Sequence, residues 1–152
     1  MRKQCKRKHY QLLNPILHAL QGCAITPDSV LLELRTRELG AIEGFVKGTA
    51  GLQEWSDLTA MLNVCEFAGR NGVGKEVLDT CKQAQQALVE AAARFESTGR
   101  MGTTGSGLQA FRDLYEWHDL QRKSISRSQY EQMIAGTRNH IKSRSSMVEV
   151  IA

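Results

Sequence analysis

Gly69-Arg70-Asn71-Gly72-Val73-Gly74-Lys75-Glu76 carries both glycines and the lysine of a phosphate-binding loop. The last position breaks the pattern. A Ser or Thr hydroxyl there would ligate magnesium, whereas Glu76 brings a carboxylate that repels phosphate. The preceding segment also reads as helix, not strand, so a glycine-rich helix-to-helix turn accounts for the run. Gly99 to Gly107 is a second glycine-rich stretch. Its free backbone amides, with Arg100, could cradle a phosphate. A mobile linker ending in a helix cap explains the same residues. His9, His18, His118 and His140 are scattered, and none lies at i, i+4 from another His or Cys on an expected helix. Cys5, Cys23, Cys65 and Cys81 lack the close spacing of a zinc knuckle or redox motif and read as reduced, structural residues. No Ser, Cys or His spacing suggests a nucleophile and its base. The chemistry thus points to a protein that is not an enzyme, with no metal and no cofactor.

The charge pattern is more informative. Arg2 to Lys8 holds five cations and no acid. Arg122 to Arg144 holds six cations and one acid, Glu131. Between them, residues 9–121 carry nine Lys/Arg against fourteen Asp/Glu. Basic ends on an acidic body point to a polyanionic partner, nucleic acid first.

The candidate contacts follow from residue type. In the C-terminal part they are Arg122, Lys123, Arg127, Gln129, Arg138, His140, Lys142 and Arg144. Arg, Asn and Gln read base edges, while Lys and Ser hold the backbone. Arg127, Ser128 and Gln129 fall at a helix start, the end a recognition helix uses. In the N-terminal arm they are Arg2, Lys3, Lys6, Arg7 and Lys8, which suit phosphate contact without sequence readout. A solvated basic face has the same composition. The arm also lacks the amphipathic apolar face needed for a stable hold on lipid.

These residues must be positioned by helices. Two prolines and no strand-like alternation predict an all-α fold of five to six helices. Residues 1–13 form the basic arm, 14–97 a helical bundle, 98–107 the glycine-rich loop, 108–143 a C-terminal helical pair, and 144–152 a tail. Asn14-Pro15 starts a short first helix that ends at Gly22. Thr26-Pro27-Asp28 starts the next, with Thr26 as cap, and Gly48 stops it. Its stripe is Val30, Leu31, Leu34, Ala41, Ile42 and Phe45, with Glu38 interrupting it or just beside it. Leu52, Trp55, Leu58, Leu62 and Cys65 mark a helix over about 52–68. Val77, Cys81, Ala84, Leu88, Ala91 and Phe95 mark one over about 75–97, whose regular spacing leaves a homodimer open. A helix over about 107–121 follows a cap at Thr104 or Ser106. The last begins at Ser126, where Ser126-x-x-Gln129 is a capping box. A chain of 152 residues fits one domain. No apolar run approaches the ~20 residues that span a bilayer, and no apolar signal core is present; the expectation is a cytosolic protein that does not enter membranes.

Lys6-Arg7-Lys8-His9-Tyr10, Asn14-Pro15-Ile16, Thr98-Gly99-Arg100-Met101-Gly102 and His118-Asp119-Leu120-Gln121-Arg122 with Ser124 to Ser128 resemble a group of small helical proteins of bacteriophages and proteobacterial prophages. Some of that group are labelled Fis-like transcriptional regulators. The resemblance implies DNA binding by a C-terminal helix-turn-helix, although the turn here lacks the usual small residue followed by glycine. It also raises an alternative: an inhibitor of a host protein machine, such as a CRISPR system. Glu33, Glu43, Glu54, Asp57, Glu66, Glu90 and Glu96 would then mimic nucleic acid if they cluster on one face.

Overall fold

Three of the apolar stripes among the described residues end at a glycine or an asparagine, Gly48, Asn71 and Gly99, which cap the helices there. The computed structural model describes residues 23–143. They form α1 (Asp28–Lys47), α2 (Leu52–Arg70), α3 (Val77–Thr98), α4 (Gly105–Ser124) and α5 (Arg127–Ser143). This is an all-α bundle, with no strand among the described residues beyond one isolated bridge, Ile25 to Ser126. The arm, the expected helix after Pro15 and the tail lie outside the described residues.

Gly48 and Gly99 end α1 and α3 in the left-handed region, at φ 69° and 72°. Thr104 Oγ1 accepts the Gly107 N–H at 3.1 Å, capping α4. The expected box at α5 is complete. Ser126 Oγ accepts from Gln129 N at 3.2 Å, and Gln129 Oε1 accepts from Ser126 N at 2.9 Å. Thr26 does not cap α1. Pro27 holds that position, and Thr26 is buried with its hydroxyl unpaired among the described residues. At α2, Glu54 accepts the Gly51 N–H at 2.8 Å, and this backbone hydrogen bond holds its carboxyl below the usual value. The run with the phosphate-loop pattern is a helix-to-helix turn, with Gly72 and Gly74 at positive φ between α2 and α3.

The core joins α1 to α4. Ile42, Phe45, Trp55, Leu58, Leu62, Val77, Ala84, Leu88, Phe111 and Leu114 form one cluster. Phe45 meets Phe111 edge-on at 5.2 Å. The Trp55 indole donates to the Leu88 carbonyl at 3.0 Å, so this bulky residue is buried with its polar atom paired. Two expectations change here. The glycine-rich segment is only six residues, Gly99–Thr104, and Met101 pins it to the core. α4 is part of the bundle and not of a separate pair; α5 alone is peripheral, packing on α2. Val77, Cys81, Ala84, Leu88 and Ala91 of the α3 stripe are buried in this core, with Phe95 packed against it.

Candidate nucleic-acid interface

Arg122 was the first candidate for a phosphate contact, and the structure overturns that assignment. α4 continues through it to Ser124, so the residue faces inward and is 0% exposed. Its guanidinium forks onto Glu38, with Nη1 to Oε1 at 2.9 Å and Nη2 to Oε2 at 2.8 Å. Nη2 also reaches Asp119 at 3.2 Å. Glu38 therefore lies within the α1 stripe and is matched there by Arg122, whose Nε is buried without a partner among the described residues. Burial pushes the Glu38 carboxyl up, against the Arg122 hydrogen bonds.

The network extends outward through Asp119. Arg35 donates to both Asp119 oxygens, at 2.8 and 3.1 Å, and to Asp28 at 2.9 Å. These bonds raise the Arg35 guanidinium further above its already high value. Lys123 lies 3.1 Å from Asp119. Burial pushes the Asp119 carboxyl up, but hydrogen bonds from Arg35 and Lys123 and the charge of Arg122 outweigh it and leave the group below its usual value.

A second buried chain runs beside the first. Gln121 Nε2 donates to the Cys65 and Val73 carbonyls, at 3.2 and 2.8 Å. Its Oε1 is left to accept from His118 Nδ1 at 3.2 Å, which assigns the Nδ1–H tautomer. Tyr130 approaches His118 Nε2 at 3.5 Å, joining α5 to α4. Burial, aided by the Arg122 charge, lowers the His118 imidazole to about 3. It is held neutral and has no access to a ligand.

The other candidates divide clearly. Arg127 is exposed but pairs with Glu131 at 3.1 Å, and Gln129 is engaged in the cap. Arg138 and Lys142 are exposed on α5. With Arg127 they fall on one face, since spacings of eleven and four are close to whole turns. His140 lies on another side, its ring 6.2 Å from Phe67. Arg2, Lys3, Lys6, Arg7, Lys8 and Arg144 lie outside the described residues. Arg127 N donates to the Ala24 carbonyl at 2.8 Å, beside the Ile25–Ser126 bridge. The chain that follows the basic arm thus meets the body at the start of α5.

The acids expected to mimic nucleic acid are spread over α1, α2 and α3. Glu33, Glu43 and Glu66 each pair with a cation on their own helix, and Glu54 is engaged at a helix start. Three carboxyl groups of the network, by contrast, face inward or are shared with arginine. No group of three or more His, Cys, Asp or Glu suited to a metal ion occurs among the described residues. No helix among them is long and apolar enough to cross a membrane. Compared with protein-family models, curated proteins and solved structures, the chain matches none.

Proposed function

We propose that the protein binds nucleic acid through its basic ends, with α5 as the element that links them, and that it does so without catalysis. Residues 23–143 carry fourteen Lys/Arg and fifteen Asp/Glu, while the rest of the chain carries six cations and one acid. The net positive charge is therefore terminal. One observation carries the reading: the Arg127–Ala24 hydrogen bond joins the end of the N-terminal segment to the helix that bears Arg138 and Lys142 and leads to Arg144. α5 spans about 25 Å at 1.5 Å per residue, a length comparable to several base steps.

Fluorescence anisotropy with labelled duplex DNA, single-stranded DNA and RNA across a salt series tests this. Micromolar or tighter binding that weakens steeply with salt is expected. Each lost phosphate contact should reduce the slope by roughly 0.7–0.9. Removing residues 2–8, or the pair Arg138→Glu and Lys142→Glu, should therefore flatten it. Absence of binding to all three at low salt would reject the reading and direct the search to a host protein partner.

A further inference from the structure

Where α5 crosses α2 it leaves a cleft of about 380 Å³, walled on a third side by α3. Leu62, Phe67 and Ile141 give it an apolar floor, and Asn63, Asn71 and Gln85 give it an amide rim. Glu66 and Arg70 also line it, but they pair with each other and bring no net charge. The floor depends on one small residue. A Cβ on Gly136 would stand 2.6 Å from the Phe67 ring, so only glycine lets α5 settle against it. The volume falls in the range of small-ligand sites.

The lining selects a class of ligand. An apolar floor with an aromatic ring takes a flat hydrophobic face. Asn and Gln side chains each present a donor and an acceptor, which match the mixed edge of a planar heterocycle. The Asn71 amide nitrogen already donates to the Phe67 carbonyl at 2.7 Å, so the rim is fixed at that point with its oxygen left to accept. Arg138 and Lys142 share the last turns of α5 with the cleft residues His140 and Ile141. On the adjoining face of the helix they offer positive charge to the strand that carries the captured base.

We infer that this cleft receives one nucleobase turned out of its strand, which gives the protein a preference for single strands over duplex. The inference rests on the nucleic-acid reading above and specifies it. Recognition of unstacked bases on aromatic rings, with hydrogen bonds to their edges, is how single strands are read.

The test compares a labelled single strand with the duplex of the same sequence at one salt concentration. The single strand should bind about tenfold more tightly, the order that stacking of one base provides. Gln85→Trp, at an exposed position on the rim, fills the cleft and should erase that margin while duplex binding stays unchanged. Asn63→Trp does the same from the α2 wall and serves as the second variant, with circular dichroism confirming that both fold. Equal affinity for the two nucleic acids, or a margin that survives both tryptophans, overturns the cleft as a base site and leaves the parent reading standing. Failure to bind either nucleic acid overturns both.

Discussion

Glu38 and Arg122 each occupy a position where a lone charge would be costly, and their bidentate pair is what makes both tolerable. Removing one partner leaves the other buried and uncompensated. Arg122→Ala or Glu38→Gln should therefore cost about 3–5 kcal/mol in urea unfolding. The double replacement Glu38→Met with Arg122→Met should recover most of that loss, because two apolar side chains of similar size need no partner. His118 makes a separate prediction in pH. Its folded-state value, about 3, lies below the ordinary 6.5 of the free imidazole. The stability it confers is thus complete above the unfolded value and is lost as pH falls toward the folded one. Between pH 7 and pH 5 that contribution amounts to about 2 kcal/mol. The wild type should lose that much more stability over the interval than His118→Gln, measured by urea titration at both values. Only part of this was legible in the sequence. Glu38 stood out as a break in an apolar stripe, whereas His118 was one of four scattered histidines. Arg122 looked like one more cation in a basic run. Its partner is 84 residues away, and no local spacing encodes that distance.

At the scale of the helices, what the sequence encodes locally was readable. The stops at Gly48 and Gly99, the Thr104 cap and the Ser126–Gln129 box all depend on residues within three or four positions of each other. What depends on neighbouring helices was not. Val30 and Leu52 fit their stripes, yet both are exposed, while Leu31 beside Val30 is fully buried. The cleft was invisible for the same reason: Phe67 and Gly136 are brought together only by the crossing of α2 and α5. The two mid-helix glycines differ accordingly. Gly40 has open space where a side chain would go, so Gly40→Ala should stabilise by about 0.5–1 kcal/mol through helix propensity. Gly136→Ala forces a methyl onto the Phe67 ring and should destabilise by about 1–3 kcal/mol. Thermal melts give both signs, and hydrogen exchange should place the Gly136→Ala loss in α5.

At the scale of the whole molecule, the bundle divides its work between a neutralised body and charged ends. Eight of the fourteen Lys/Arg among the described residues are held by carboxylates: Arg35, Arg122 and Lys123 at Asp119 or Glu38, and Arg37, Lys47, Arg70, Lys82 and Arg127 along their own helices. The totals along the chain hinted at this, since residues 9–121 are acidic overall. It could not show which basic residues were already matched. Composition counts charges, while pairing depends on which helix faces meet. Of the C-terminal candidates, that leaves Arg138 and Lys142 as the exposed cations of the last helix that the proposed function uses.

The Glu38–Arg122 pair also has a consequence in time. A ribosome releases α1 long before α4 exists. At about 5–20 residues per second, the 84 residues that separate the two partners take roughly 4–17 s to make. For that interval α1 carries an ionisable carboxylate in the middle of its apolar face, with no cation to receive it. Any packing that buried that face before the fourth helix arrived would bury the carboxylate without its partner, at a cost of about 3–5 kcal/mol.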